Sequence, residues 1–132
     1  MSRYLVRSGS HLEPIIGFSR AVRVGDHIAV GGTAPIAAGG GTAAKGDPYG
    51  QARRCFEIIG KALADAGAGF EHVTRTRLFL TDAKIWGEVA RAHVEIFSEI
   101  RPVTTVLVVS GFVDPDWLVE IEVDAIAPTS AL

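Results

Sequence analysis

The chain has 132 residues, of which 48% are hydrophobic and 21% are charged, and its formal net charge at pH 7 is −2. This length fits one domain, residues 1–132, with a hydrophobic core of its own, and no apolar run approaches the roughly 18 residues that a membrane span needs. The scattered basic residues argue against a nucleic-acid partner, because phosphate binding depends on clustered Lys and Arg.

The N-terminal segment MSRYLVRSGS lacks the apolar centre of a signal peptide. The only cysteine, Cys55, cannot form an internal disulfide, as is usual in a reducing compartment. We therefore expect a cytoplasmic protein.

Alternating or β-branched apolar runs predict six strands, at Arg3–Arg7, Ala21–Val24, His27–Val30, Val73–Leu80, Val103–Ser110 and Leu118–Ala127. Two helices are predicted, the first from Asp47-Pro48 to about Ala66 and the second from Ala83 to Ile100, which Asp82 caps. Both helices can cover one face of a single sheet, so the fold class is α+β with two layers.

Four local features accompany these elements. Gly25-Asp26 is a two-residue turn of type II′ between the second and third strands, and the segment that contains Pro14 and Gly17 is predicted as a loop. The strand Val73–Leu80 is expected to turn Thr74 toward the core. The apolar stripe of the second helix is predicted to consist of Trp86, Val89, Ala90, His93, Ile96, Phe97 and Ile100.

Two residues with reactive side chains lie on buried stripes. Cys55 is interpreted as a core residue rather than a nucleophile, and His93 as a packed, hydrogen-bonded histidine rather than a catalytic base. The four histidines show no close pairing with one another or with cysteine, so we expect no metal site.

The last strand carries three carboxylates on one side, Glu120, Glu122 and Asp124, opposite an apolar side. Half-buried carboxylates need partners, and Arg75 and Arg77 on the strand Val73–Leu80 are expected to pair with Glu122 and Asp124. For Glu120, a structural ion pair and a ligand site remain equally open.

The run Val103–Val108 is apolar or β-branched on both sides, and we expect it to be a central strand. Two helices cannot cover both faces of the sheet. The other face is therefore expected to be buried against another subunit.

Four stretches together resemble the Rid family, also called YjgF, the reactive-intermediate deaminases once labelled translation inhibitors or endoribonucleases. They are PIIGFSRAVRVGDHIAVGGTAPI, QARRCFEIIGKALADAGAGFEHVTRTRLFLTD, RPVTT and LVEIEVDAIA. The resemblance implies a chorismate-mutase-like fold, with a mixed six-stranded sheet and two helices on one face. It also implies a homotrimer formed through the other face, with ligand clefts between subunits.

In deaminating members of that family, an arginine holds the substrate carboxylate and a glutamate on the last strand positions the hydrolytic water. The resemblance places the glutamate at Glu120, but Thr104 stands in the position of the arginine. A neutral hydroxyl cannot replace a planar cation that binds a carboxylate through two hydrogen bonds. Arg91 or Arg101 is a candidate substitute.

Two further polar positions of the family pattern are changed, because Phe18 stands where an aromatic hydroxyl is expected and Ala90 where an amide is expected. The ligand-binding residues implied by the resemblance are Phe18, Gly31, Gly32, Thr33, Ala34, Ala90, Arg91, Thr104 and Thr105, with Glu120 as the catalytic residue.

We therefore predict a small-molecule-binding homotrimer that needs no cofactor and binds neither nucleic acid nor membrane. It is not expected to be an efficient 2-imino acid deaminase. The alternative is a hydrolase of an imine, an enamine or a related labile C–N bond, with Glu120 activating water. A third interpretation, an endoribonuclease or translation inhibitor, lacks any stacking platform or phosphate track in the sequence.

Overall fold

Six strands form one sheet in the computed structural model, which describes residues 2–129. The strands are β1 Arg3–Val6, β2 Ala21–Val24, β3 His27–Thr33, β4 Val73–Leu80, β5 Val103–Val108 and β6 Val119–Ile126. Their order across the sheet is β1-β2-β3-β6-β4-β5. The sheet is mixed, because β4 and β5 run parallel whereas the other neighbouring pairs run antiparallel.

The helices are α1 Glu13–Ile16, α2 Pro48–Asp65 and α3 Trp86–Phe97. The long helices α2 and α3 share one core with the sheet, in which Phe56, Ile59 and Leu63 of α2 pack with Ile121 and Val123 of β6. This confirms the predicted two-layer α+β fold. Within residues 2–129, no helix combines the length and the apolarity that a bilayer crossing requires.

The opposite side of the sheet, which we call the helix-free face, is partly charged. The pairing register places on it Glu120, Glu122 and Asp124 of β6, Arg75, Arg77 and Phe79 of β4, and Val103, Thr105 and Leu107 of β5. The predicted alternation of β6 is therefore confirmed. Gly25 has φ +60, as the first position of the predicted type II′ turn requires.

Several local predictions were wrong. The segment with Pro14 and Gly17 is not wholly a loop, because Pro14 lies in the first turn of the short helix α1, where its missing N–H costs nothing, and Gly17 ends that helix with φ +86. Thr74 is exposed instead of facing the core, since the register between β4 and β6 shifts between Val73 and Arg75.

The second helix is shorter than predicted. Asp82 accepts a hydrogen bond from the backbone N–H of Lys84, but the turn that it caps, Ala83–Ile85, is a 3₁₀ helix. Trp86 follows this turn and is 62% exposed, while Ala92 is buried in the core. A 3₁₀ turn has about 3.0 residues per turn instead of about 3.6, so the α-helical spacing behind the predicted stripe does not hold before Trp86, and the stripe fails at that residue.

Strand β5 is at the edge of the sheet, so the prediction of a central strand was wrong. All six of its residues are exposed, and the apolar ones among them are between 42% and 59% accessible. An apolar composition indicates that a strand avoids water, but it does not specify which strands it pairs with. In this sheet β6 is a central strand, between β3 and β4.

Arg23 on β2 joins three parts of the fold and is only 2% exposed. Its Nε donates to the carbonyl of Gly25 at 2.9 Å, its Nη1 to that of Ala66 at 2.7 Å and its Nη2 to that of Ala127 at 2.8 Å. Ala66 follows the last turn of α2, where the helix dipole favours a cation. Arg23 thus connects the hairpin turn, the end of α2 and the end of β6.

We predict that Arg23→Met lowers the free energy of unfolding by about 3 kcal/mol or more, because the buried carbonyls lose their donors. Urea denaturation followed by circular dichroism measures this change. Arg3→Met on β1, where the side chain is exposed, is the matched control and should change stability little. Equal stability of the two variants would contradict the role given to Arg23.

Candidate functional site

Glu120 lies beside the backbone of β3 at the place where the pairing of β3 with β6 is irregular. Residues 119, 121 and 123 of β6 are buried, whereas Glu120 is half-buried on the other face. A Cβ atom built on Gly32 would lie only 3.0 Å from Glu120 Oε1. The absence of a side chain at position 32 therefore leaves space for this carboxylate against the strand.

The surroundings of Glu120 favour its protonated form more than water does. Burial raises the pKa of Glu120, the nearby guanidinium of Arg20 lowers it, and the carboxylate of Glu122 raises it. The balance is a raised pKa, which brings the carboxyl closer to the range in which it can both accept and return a proton near neutral pH.

The other two carboxylates of β6 have partners, as the sequence predicted. Arg77 Nη1 is 3.0 Å from Glu122 Oε1 and 3.5 Å from Asp124 Oδ2, and Arg75 Nε is 3.7 Å from the same Asp124 oxygen. Within residues 2–129, no side-chain cation lies within 4 Å of the Glu120 carboxylate. We call Glu120, Glu122 and Asp124 the acidic row. Glu120 is thus the member of this row that remains available to a ligand.

Arg20 is a charged residue of this region that the sequence analysis missed. Its Nη1 donates to the carbonyl of Gly32 at 3.2 Å and to Thr33 Oγ1 at 3.0 Å, while the Thr33 hydroxyl donates to the carbonyl of Gly31 at 2.8 Å. The predicted hairpin contained a signal for it. Extending the pairing of Ala21 with Val30 by one residue places Arg20 opposite Gly31, and the Gly31 N–H does donate to the Arg20 carbonyl at 3.0 Å.

The predicted ligand residues of the N-terminal half differ in their exposure. Gly31 and Gly32 are exposed, Thr33 and Ala34 are buried, and Phe18 is half-buried. Phe18 lines a cleft of about 470 Å³ between β1 and α1, whose other walls include Arg7, Glu13 and Ser19.

Thr104 belongs to a different part of the structure. Its hydroxyl is 2.8 Å from that of Thr76 and donates to the Pro102 carbonyl at 3.2 Å, and the Thr76 hydroxyl is 2.9 Å from Nε2 of His93. Burial lowers the pKa of His93, which favours the neutral imidazole. Thr104 therefore ends a hydrogen-bonded chain that begins on α3.

The packing of His93 agrees with its interpretation as a structural histidine. Its ring centroid is 4.6 Å from that of Phe97 and 5.9 Å from that of Phe56. The interpretation of Cys55 as a core residue is also confirmed, because it is fully buried and burial raises the pKa of its thiol strongly. Among the described residues, no three His, Cys, Asp or Glu side chains cluster as a metal site would need.

The predicted cation substitutes lie on the surface around α3. Arg91 Nη2 donates to Glu88 at 2.9 Å, and its guanidinium carbon is 3.6 Å from the centre of the Tyr49 ring. Ala90, beside it, is half-buried. Arg101 is exposed with φ +55, and its N–H donates to the Phe97 carbonyl at the end of α3.

Within one chain, the predicted residues Glu120 and Thr104 do not lie together. Thr104 pairs with Thr76 and shares the helix-covered side of the sheet with it, whereas Glu120 is on the helix-free face. Strand β4 also separates β6 from β5. Thr105 pairs with Arg77 and is the predicted ligand residue of β5 that shares the face of Glu120.

The raised pKa of Glu120 predicts an unusual effect on stability. Folding disfavours the charged carboxylate, so the penalty is present above the raised pKa and disappears as the pH falls below the ordinary carboxyl value. Glu120→Gln removes the penalty and should melt at a higher temperature than the wild type at pH 8, with a difference that shrinks toward pH 4. Thermal scans across this pH range measure the difference.

Glu122→Gln is the matched contrast for this experiment, since it lies on the same strand face and loses an ion pair of 3.0 Å. It should melt below the wild type at pH 8. A Glu120→Gln variant that melts below the wild type at that pH would show that Glu120 is a structural partner instead.

The sequence model of the family described as Endoribonuclease L-PSP matches residues 8–127 of this chain. An uncharacterised protein of Streptomyces coelicolor is 45% identical over 120 residues, which cover 91% of this chain and 89% of that protein. A RutC family protein of Pyrococcus abyssi is 30% identical over 122 residues, covering 92% of this chain and 95% of the relative.

Among solved structures, a member of the YjgF/YER057c/UK114 family from Mycobacterium tuberculosis has 40% sequence identity and a TM-score of 0.86. The match covers 96% of this chain and 100% of that one. The sheet order, the two helices over one face and these matches lead to one conclusion, which is that the chain belongs to the YjgF/Rid family.

Proposed function

We propose that this protein is a small-molecule-binding homotrimer with its ligand clefts between subunits. In each cleft, the group around Glu120 and Gly32 of one subunit faces the group around Thr104 and Ala90 of the next. The observation that carries the proposal is the separation of these groups within one chain, on opposite faces of the sheet. A site that uses both groups requires two chains.

The exposure of β5 supports the assembly. Its residues Val103, Val106, Leu107 and Val108 are apolar and accessible on both faces of an edge strand. Long apolar edges promote uncontrolled pairing, and proteins usually cover them. A neighbouring subunit would bury this strand and bring Thr104 close to a second chain.

The trimer is testable by light scattering in solution, where the mass is expected to be three times that of the 14.0 kDa chain. Leu107→Glu places a charge on the helix-free face of β5 and should yield smaller species. Val113→Glu, at a position that is 82% exposed in the loop after β5, is the control and should leave the mass unchanged. A trimeric Leu107→Glu variant would contradict the proposed interface.

A second candidate function is hydrolysis of a C–N bond, favoured by the environment of Glu120. The carboxylate accepts a proton from water while the water oxygen attacks the carbon of a C=N bond and the electron pair moves to nitrogen. Glu120 returns this proton to the nitrogen, which gives a neutral carbinolamine. As the C–N bond breaks, the carbinolamine hydroxyl gives its proton to Glu120, which passes it to the departing nitrogen, so that a carbonyl compound and ammonia are released. The raised pKa of Glu120 suits these transfers.

The hydroxyl of Thr104 limits the substrates that this chemistry can use. It is already engaged by Thr76 and by the Pro102 carbonyl, and it carries no charge. A 2-imino acid therefore has no bidentate cation at position 104. Slow turnover of such substrates is the expected result.

Ammonia release from freshly generated 2-iminobutyrate tests the catalytic role. We predict slow turnover by the wild type and a decrease of about 100-fold or more in Glu120→Gln, because the general base is lost. The rate should also fall as the pH drops through the raised pKa of Glu120, where the basic form disappears.

Glu122→Gln is the control for this assay, since it changes the same side chain two residues along the same strand face. It should keep its activity once folding is verified. Turnover by Glu120→Gln at the wild-type rate would exclude Glu120 as the base.

Ribonuclease activity has less support, although the matching family model carries that description. Arg75 and Arg77, the adjacent cations of the helix-free face, are paired with Glu122 and Asp124. Phosphate contacts would have to compete with these ion pairs. RNA cleavage that persists through repeated purification and is lost in Glu120→Gln would favour this function.

A further inference from the structure

Gly32 is in contact with two opposite charges. Arg20 Nη1 donates to its carbonyl at 3.2 Å, and the Glu120 carboxylate lies so close that a Cβ on Gly32 would be 3.0 Å from Oε1. The two charges do not form an ion pair within 4 Å. A guanidinium and a carboxylate therefore flank one exposed glycine without neutralising each other directly.

The hydrogen bonds of Arg20 use only one end of its guanidinium. Both protein acceptors, the Gly32 carbonyl and the Thr33 hydroxyl, bind Nη1. Within residues 2–129, Nε and Nη2 of Arg20 have no protein acceptor. Arg23 is the contrast, because its Nε, Nη1 and Nη2 each donate to a carbonyl.

The unused atoms form a suitable surface for a carboxylate. The Nε–H and the adjacent Nη2–H of an arginine point in parallel along one edge and can donate to both oxygens of a carboxylate. The Nη1 contacts hold the guanidinium plane in place, so less conformational entropy is lost on binding. Arg20 is half-buried, and this burial lowers the pKa of its guanidinium although the nearby Glu120 raises it.

We infer that Arg20 is the anion-binding residue of the Glu120 site and that its free Nε/Nη2 edge binds the carboxylate of a small ligand. This inference extends the proposed function and depends on it for the position of the ligand beside Glu120. It assigns to Arg20, at the start of the hairpin, the binding of the anion that Thr104 cannot bind. The ligand class is then a small carboxylate whose carboxyl group is bound on the Glu120 side of the cleft and not at position 104.

The other candidate cations are less suited to this role. Arg91 is engaged by Glu88 at 2.9 Å and by the ring of Tyr49, so binding a ligand would break existing contacts. Arg7, at the rim of the cleft that Phe18 lines, is 3.6 Å from Glu13, and its side chain is 84% accessible. An exposed, flexible arginine loses more entropy and gains less from an ion pair than a fixed one.

Two non-reactive probes measure how much the carboxyl group contributes to binding. They are 2-oxobutyrate and 2-butanone, which share the four-carbon ketone and differ in the carboxyl group. Titrations of the full-length protein, followed by nitrogen-15 NMR, give both affinities. We expect the wild type to bind 2-oxobutyrate more tightly than 2-butanone.

Arg20→Gln should weaken 2-oxobutyrate binding by at least about tenfold, as expected when a charged hydrogen bond is lost, and leave 2-butanone unaffected. Arg20→Lys keeps the charge without the two-donor edge and should give an intermediate affinity, which also serves if the Gln variant does not fold. Arg53→Gln on α2, an exposed site, removes the same charge and should bind as the wild type does.

The outcomes are distinguishable. The assignment of Arg20 would be overturned if folded Arg20→Gln and Arg20→Lys bound 2-oxobutyrate as the wild type does. It would also be overturned if Arg91→Gln lost 2-oxobutyrate binding instead. Either result would leave the proposed function intact. Equal affinity of the wild type for both probes would overturn the assignment in the same way. If the wild type bound neither probe near Glu120, the small-molecule site itself would be wrong, and the inference would fail with it.

Discussion

Strand β6 lies between β3 and β4, and the alternation of its side chains connects the core of this protein to its candidate site. Val119, Ile121 and Val123 are inserted between the sheet and α2, so the register of β6 cannot shift without exposing them. The same register fixes which backbone and side chains lie beside each carboxylate. The hydrophobic core therefore holds the acidic row in position.

Within that row, neighbouring strands decide what each carboxylate does. Glu122 and Asp124 lie opposite Arg77 and Arg75 of β4, and their charges are neutralised there. Glu120 lies opposite Phe79 instead, while its other neighbour is the glycine backbone of β3. An aromatic side chain and a glycine cannot neutralise a carboxylate, and burial in this position raises the pKa of Glu120.

Two arginines of the hairpin show how the same residue type serves different purposes. Arg23 turns toward the core and binds carbonyls from three segments through all of its nitrogen atoms. Arg20 is three residues earlier and uses Nη1 alone for its protein contacts. A fully used guanidinium is a structural connection, whereas a partly used one in a half-buried site can still bind a ligand.

The sequence by itself determined the elements whose signals are local. Period-two alternation identified β6, Asp47-Pro48 identified the start of α2, and the opposite charges on β4 and β6 predicted their ion pairs. Through the resemblance, the sequence also indicated Glu120 as the candidate catalytic residue, which stays a prediction. These predictions needed only side-chain polarity, spacing and caps, which are properties of short segments.

Only the tertiary structure decided the strand order, the edge position of β5 and the contacts of Arg20. Strand pairing depends on which distant segments lie together, so an apolar strand such as β5 has the same sequence pattern at the centre and at the edge. Arg20 becomes notable because β3 and β6 bring Gly32 and Glu120 beside it. Electrostatic roles depend on distances across strands, and those distances exist only after the sheet has formed.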